Sequence, residues 1–444
     1  MSIIPQQTLF VWDDEIENLG DLERLRLVIE YIPDEELMQM LEKQRGKGRD
    51  DYPVRAMWNS ILAGVVYQHP SIESLRRELA RNGQLRLMCG FYQKLVPPAW
   101  VYTRFLKKLF EHEEEIEKIF KKLVEELYKL LPDFGKDLAI DSKAISSLAT
   151  GINKNQKTDG RRDKDAAWGK KEYRGIREDK SVWEKIIKWF GYKLHLIVDA
   201  NYELPVAYSV TKASESDISQ AHQMIDKLEK ERPQILKHCN TIEADRGYDD
   251  TKLIQKLYDQ HKIKPVIDIR NMWKDPDKTR SLPGYENVIY NYKGNVYCCC
   301  QETGKQKEMA AGGFEEDRKT LKKLCPAKQY GLDCKCIDTC PIKHGIRIKI
   351  DIDRRIFTPI DRASYKWKRY YNKRTAVERV NSRLDESFGF EKHYIRGQKK
   401  MSIKCGVALC VMLAMALGRI KEKQAEQMRS LVKPVQKEKV QTAA

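Results

Sequence analysis

Two aspartates limit most tightly what this chain can fold into. Asp141 closes the run Lys136-Asp-Leu-Ala-Ile-Asp141, and Asp245 closes Asn240-Thr-Ile-Glu-Ala-Asp245, so each stands where a short apolar strand ends. Arg246-Gly247-Tyr248 then lets the chain turn away from the sheet. Tyr192–Val198 and Leu204–Val210 read as two further strands joined by a turn at Asp199–Glu203. A helix over Ile218–Glu231, a helix over Thr251–His261 and a strand over Lys264–Asp268 complete an alternating pattern. Such a succession predicts an α/β fold whose sheet has antiparallel and parallel members. One strand-terminal Asp is most simply a turn or capping residue. Two on strands able to lie side by side also suit divalent cations, which activate water and stabilise a leaving oxygen in phosphodiester cleavage.

The chain before this core differs in texture. Residues 1–130 read as helical. Pro53 opens a helix carrying Met57, Ile61, Leu62, Val65 and Val66, and His69-Pro70-Ser71 breaks it. Ser71 can cap a second helix, Ile72–Ala80, and Asn82-Gly83 stops that one. With Arg76, Arg77, Arg81 and Arg86, this stretch suits either a helix-turn-helix-like DNA reader or a bundle with a solvated basic face. One long charged helix is expected from Arg104 to Leu131. Asn153 to Phe190 is strongly polar and reads as a loop, DNA-facing or simply solvated, with Trp168 available to stack on a base.

The helix expected over Lys366–Ser387 adds the third acid. Tyr371, Arg374 and Glu378 follow at spacings of three and four, which places them on one face. Arg379 and Arg383 form a neighbouring basic ridge. From Arg362 to Lys404 there are 13 Lys or Arg against four acids, so Glu378 is either an ion-pair partner or a metal ligand among phosphate-binding cations.

Tyr371-x2-Arg374-x3-Glu378 resembles the signature of a large group of bacterial insertion-sequence transposases with a DDE site. The segments ending in Asp141 and running Ala-Asp245-Arg-Gly-Tyr are similar to that group's first and second aspartates, and Ser364 to Leu384 is similar as well. The likeness extends over most of residues 40–420. It implies an RNase H-like core in which Asp141, Asp245 and Glu378 hold two Mg²⁺ or Mn²⁺ ions. It also implies phosphate contacts from Tyr371 and Arg374, cleavage at transposon ends, and transfer of the freed 3′-hydroxyl to target DNA. The partners implied are double-stranded DNA and a second copy of the chain, in a bacterial cytoplasm at the nucleoid. A DNA-binding protein derived from a transposase, or a nuclease of the same fold, are the alternatives. One departure stands out: the group usually carries Lys seven residues after the Glu, where this chain has Asp385.

The 133-residue gap between Asp245 and Glu378 requires an insertion. Residues 269–345, rich in Lys, Gly, Pro and Cys, supply it. The expected division is therefore 1–130, a helical DNA-end-binding domain; 131–268, the first part of the catalytic core; 269–345, the insertion; 346–420, the second part, opened by a strand over Ile346–Ile352; and 421–444, a charged tail. Cys298, Cys299, Cys300, Cys325, Cys334, Cys336, Cys340 and His344 crowd into the insertion, which suits structural zinc on Cys300, Cys325, Cys334 and Cys340, or free thiols. Trp273 could stack on a flipped base, or pack. Cys89, Cys239, Cys405, Cys410 and His195 read as packing residues.

Charge agrees with a polyanionic partner: 82 Lys and Arg against 65 Asp and Glu give +17. Met1–Asp14 lacks a basic segment followed by an apolar one, and the apolar run Cys405–Leu417 is shorter than the ~20 residues of a membrane span. It is expected to be a buried helix, and the eleven cysteines do not suggest a secreted disulfide framework.

Overall fold

A computed structural model of the chain describes residues 20–46, 51–92, 96–149, 151, 163–176, 182–273 and 278–431. The first part is helical: α1 (Glu23–Tyr31), α2 (Glu35–Arg45), α3 (Val54–Val66), α4 (Ile72–Arg81), α5 (Gly83–Cys89), α6 (Ala99–Leu109) and α7 (Glu113–Leu130). Ser71 caps α4 by accepting from the Ser74 amide, and Asn82 caps α5 by accepting from Leu85. The single helix expected from Arg104 to Leu131 is instead two. The chain breaks at Phe110–His112, and Glu113, Glu114 and Glu115 form the first turn of α7, where the helix dipole favours negative charge.

The core follows as β1 (Asp137–Ser146), β2 (Ala167–Ile176), β3 (Val182–Asp199), β4 (Pro205–Lys212), α8 (Asp217–Glu231), α9 (Pro233–His238), β5 (Thr241–Ala244), α10 (Thr251–Gln255) and β6 (Lys264–Ile267). Strand β3 pairs antiparallel with both β4 and β1, whereas β1, β5 and β6 run parallel. The order β4-β3-β1-β5-β6, with helices crossing between the parallel strands, is the RNase H-like arrangement. Alternation sets its faces: Leu138 and Ile140 point into one packed layer, while Asp137, Asp141 and Lys143 share the other side of β1.

The loop expected over Asn153–Phe190 is corrected by the structure. Residues 152–162 and 177–181 lie outside the described residues, but β2 and the first half of β3 form a hairpin in register from Ala167↔Gly191 to Ile176↔Val182. Its side chains between Trp183 and Lys188 are exposed, so no buried face imposes a hydrophobic alternation that sequence reading could detect. The hairpin folds back over the sheet. Lys171 lies opposite Ile187 and Ser142 opposite His195, a separation of about 26 Å along a straight strand. Yet the Lys171 ammonium donates to the Ser142 carbonyl at 3.2 Å. Gly191, shared by both ladders, lies at the crossing, where a Cβ would come 2.1 Å from the Ile145 carbonyl oxygen.

The insertion is built from strands, with a core of its own. β7 (Thr279–Ser281), β8 (Val288–Asn291), β9 (Val296–Cys299) and β10 (Gln306–Glu308) form one sheet. β11 (Ala310–Glu315), β12 (Thr320–Leu324) and, after the short α11 (Pro326–Tyr330), β13 (Ile346–Lys349) form another. Val288, Val296, Leu321, Ile346, Ile348 and Phe357 are buried between them. Strand β13, expected to return the chain to the catalytic core, instead completes the insertion's second sheet by pairing with β12.

The expected helix over Lys366–Ser387 is bent: α12 (Tyr365–Tyr371), a 3₁₀ turn at Asn372–Arg374, then α13 (Thr375–Phe388). Finally α14 (Gln398–Lys421) is long and apolar enough to cross a membrane, but it is buried against α1, α3, α7 and β4. It is a core helix, as the sequence predicts. Gly191→Ala is expected to destabilise the fold by at least about 2 kcal/mol, because backbone rather than a mobile side chain occupies the space. Urea unfolding of parent and variant checks this; equal midpoints would show that the hairpin does not need glycine at the crossing.

Candidate active site

Register places the first two acids. Asp137↔Thr241 through Ile140↔Ala244 are partners across β1 and β5, so Asp141 and Asp245 are the next residues on two parallel strands about 4.8 Å apart. β5 ends there; the Asp245 carboxylate accepts from the Gly247 amide at 2.7 Å and starts a 3₁₀ turn. Asp141 accepts from the Ser142 amide at 2.7 Å. Burial, then the negative charge of Asp245, push the Asp141 carboxyl up to about 6 against the opposing influence of Lys171 and Arg374.

A row of buried polar groups supports the pair on the same face. Thr241 donates to Asp137 at 2.7 Å, and the fully buried Glu243 lies against the same hydroxyl. Lys373, on the 3₁₀ turn, donates to Asp137 at 2.6 Å, which fastens the bent helix over the carboxylates. Arg379 and Arg383 fasten its far end, each reaching Glu203 at 2.6–2.7 Å.

Glu378 lies in the first turn of α13, its carboxylate half-exposed and bonded to Arg374 at 2.6 Å. Arg374 also sits over the Tyr371 ring and interacts electrostatically with Asp141. Tyr371 stacks on Trp367 with ring centroids 4.8 Å apart. The structure thus brings Asp141 beside Asp245 and joins Glu378 to them through Arg374. Among the described residues the three carboxylates do not converge within 4.8 Å of one another.

The oxygen-only donor pair suits a hard divalent ion: two adjacent carboxylates, one resisting ionisation through burial and then through the other's charge, are what such an ion would relieve.

Two lysines escaped sequence reading. Lys171 arrives from the folded-back hairpin, assigned there to a loop. Lys143, two residues after Asp141 on the same face, bonds Asp385. Asp385 therefore stands against a lysine supplied by β1; the signal was the i, i+2 spacing of Asp141 and Lys143, legible only once the strand was extended.

The sequence model of a family described as "Transposase DDE domain" matches residues 134–414, more than half of the chain. The chain belongs to this DDE transposase family. Residues 11–108 also match a "Transposase domain (DUF772)" model. No curated protein matches the transposase by sequence. Among solved structures, one titled "Cryo-EM structure of piggyBac transposase synaptic complex with hairpin DNA (SNHP)" aligns over 94% of this chain and 86% of that one, at 11% identity and a TM-score of 0.29. That likeness is too slight to define the architecture, which rests on the strand order.

Other residues of the transposase singled out by sequence fall as follows. Arg76 donates to Pro97 and pairs with Glu73, Arg81 pairs with Glu78, and Arg86 donates to Leu79 and Ala80, so these brace α4 and α5; Arg77 is exposed. His195 is buried in the sheet against Thr211. Cys89, Cys239, Cys405 and Cys410 are buried. Trp273 packs against Tyr290 and Tyr292, whereas Trp168 is exposed on the hairpin. The expected thiol set is altered: Cys300 and Cys334 come together with Cys336, not with Cys325 and Cys340. Cys325 is buried at the start of α11, and its electrostatic neighbour is Cys298.

A pH prediction follows from Asp141. Its carboxyl titrates at about 6 folded against 3.8 ordinarily, so its stabilising share is present below pH 3.8 and lost as pH rises through about 6. In chelator, Asp141→Asn is expected to be more stable than the parent by on the order of 2 kcal/mol near pH 7.5, with the difference shrinking towards pH 4. Urea denaturation at both pH values tests it; a difference independent of pH would contradict an Asp141 carboxyl raised by burial and by the neighbouring Asp245 charge.

Proposed function

We propose that this transposase cleaves DNA at the ends of an insertion sequence and joins the freed 3′-hydroxyl to target DNA, using two Mg²⁺ or Mn²⁺ ions held by Asp141, Asp245 and Glu378. The observation that carries the reading is the juxtaposition of Asp141, which lies within β1 and not at its end as its sequence suggested, with Asp245, just past the end of the neighbouring parallel strand β5, under a helix that presents Glu378. Divalent ions bound there would supply an activated water or 3′-hydroxyl and stabilise the leaving oxygen.

The chain's own residues have distinct tasks in this scheme. Asp141 and Asp245 provide the fixed negative platform. Glu378 completes it by leaving Arg374, a change of side-chain conformation on a helix that stays in place. Arg374 then has its guanidinium free for a phosphate oxygen; its Nε already lies buried with no hydrogen-bond partner among the described residues. Tyr371, packed on Trp367, borders the same position. Lys171 approaches from the hairpin and would hold the DNA strand against Asp141, and Lys143 would provide cationic charge where Asp385 replaces the usual lysine. Arg379 and Arg383 would position the helix through Glu203. DNA-end binding by residues 1–130, the division into the catalytic segments 131–268 and 346–420, assembly as a homodimer on two ends, and a cytoplasmic location at the nucleoid belong to the same proposal.

The test compares Glu378→Gln with the parent on DNA carrying the element's ends, with Mg²⁺ or Mn²⁺. Binding is expected to stay within about threefold, while cleavage falls by at least a thousandfold, roughly 4 kcal/mol of transition-state stabilisation. Equal cleavage by the variant would remove Glu378 from the site. Binding without cleavage by the parent in any metal would favour a DNA-binding derivative, and cleavage without strand transfer a nuclease. In the same assay Lys171→Ala is expected to lose tenfold to a hundredfold in cleavage rate, about 1.4–2.7 kcal/mol; an unchanged rate would exclude a part for the hairpin lysine.

A further inference from the structure

Far along the chain from the carboxylates, the insertion gathers a second set of ligands. Cys300 follows the last residue of β9, while Cys334 and Cys336 lie on a turn between α11 and β13. The Cys336 sulfur is 3.4 Å from that of Cys300 and 3.6 Å from that of Cys334, and all three lie within 4.8 Å of one another. These are not disulfide distances, since a bonded pair is ~2.05 Å apart, and all three thiols are free. Sulfurs around a tetrahedral zinc, each ~2.3 Å from the metal, would stand about 3.8 Å apart. The observed spacings are close to the edges of such a tetrahedron.

The segment holding two of these thiols needs a fastening. Residues 331–345 contain no helix or strand, only turns, between α11 and β13. Ile342 reaches the module's core, but Gly331, Leu332, Asp333 and Lys335 are exposed and bury little apolar surface. A bond from Cys334 and Cys336 to the end of β9 would tie this stretch to the four-stranded sheet and close a large loop at a single point.

We propose that Cys300, Cys334 and Cys336 bind one thiophilic metal ion, Zn²⁺ in its tetrahedral thiolate form, which fastens residues 331–345 to the end of β9. Binding converts the thiols to thiolates and releases their protons to solvent, with no redox change. The fourth position is filled by water or by a nearby thiol; Cys298, Cys325 and Cys340 form a neighbouring group that shares the electrostatic environment of Cys334. The site is independent of the proposed catalytic ions, which use oxygen ligands.

The experiment measures zinc in the full-length protein purified with reductant and without added metal, then replaces it with Co²⁺. One equivalent of zinc per chain is expected. The cobalt form should show a thiolate-to-cobalt charge-transfer band in the near ultraviolet and the intense visible bands of a tetrahedral site. Cys300→Ser and Cys336→Ser should each weaken metal affinity at least tenfold and diminish that band, whereas Cys299→Ser, one residue from the cluster, should retain both. Should a serine variant fail to fold, limited proteolysis of the parent answers the question: chelator should speed cutting within residues 331–345 at least tenfold, and zinc should reverse it. Absence of zinc together with no cobalt charge-transfer band would overturn the proposal. So would undiminished metal binding in Cys300→Ser, a disulfide among the three cysteines in the reduced preparation, or proteolysis indifferent to chelator. Cleavage of DNA need not be measured for any of these outcomes, so failure here leaves the reading of Asp141, Asp245 and Glu378 standing.

Discussion

The fold holds two negative charges closer together than either would choose. Asp141 and Asp245 are fixed by backbone register, Ile140 against Ala244, and neither strand can yield without moving its apolar neighbours Leu138 and Ile242. Burial first, and then the Asp245 charge that this rigidity keeps beside it, make Asp141 resist ionisation. Around the pair the chain arranges cations at graded distances: Lys171 from the hairpin and Arg374 from the bent helix both ease the Asp141 charge without bonding it directly. Local repulsion retained by a stiff frame is a recurring mark of a functional site. It also makes the position of the covering helix a mechanical problem. Lys373 on Asp137 fastens one end and Glu203, with Arg379, Arg383 and Arg429, fastens the other. Glu378 lies between the two fastenings, so its side chain can change partner while its backbone stays in place.

The insertion obeys a different economy. Its two small sheets share a core around Val288, Leu321, Ile348 and Phe357 that is separate from the main one. A module with its own core can stand between β6 and α12 without disturbing the carboxylates. Where it meets the catalytic segment, Tyr258 packs on Phe314 and polar bonds are added: Arg355 bonds the fully buried Asp249 carboxylate, and Arg362 donates to the Ile267 carbonyl. These bonds tie the strand ends near Asp245 to the segment returning from the insertion, so the long excursion between the second and third acids ends at a defined place.

Much of the core was legible in the sequence because burial imposes pattern. Leu-Ala-Ile before Asp141 and the run at Tyr192–Val198 are buried on both faces and the helix at Ile218–Glu231 on one, and all three elements are present, although β1 runs past Asp141 to Ser146 and β3 begins at Val182. The hairpin was not legible, since the side chains of Trp183–Lys188 are exposed and the sequence there is free of the alternation that a core enforces. The insertion failed for a related reason: strands of three to six residues are too short for periodicity to separate them from turns. Of the candidate site, the types and order of the acids could be read from the chain. The link of Glu378 to Arg374 could be anticipated from a spacing of four, but the approach of Lys171 could not, because it depends on a fold-back at Gly191.

Net charge of +17 is a weaker guide to where DNA lies than its size suggests. Many of the arginines already hold intramolecular bonds. Arg76, Arg81 and Arg86 brace two short helices, Arg379 and Arg383 grip Glu203, and Arg354 and Arg355 secure the insertion. A cation so engaged has less to gain from a phosphate, since binding would break a bond already made. Exposed charge is found elsewhere: Lys185 shares a face with Trp183 on the hairpin and Lys188 lies further along the strand, and Lys366, Lys368 and Arg369 line α12 next to the exposed Tyr365. Both groups belong to elements that converge on the carboxylates, one through Lys171 and the other through Tyr371 and Arg374. On that distribution, phosphate contacts made by the hairpin and α12 would draw the backbone towards Asp141 and Asp245.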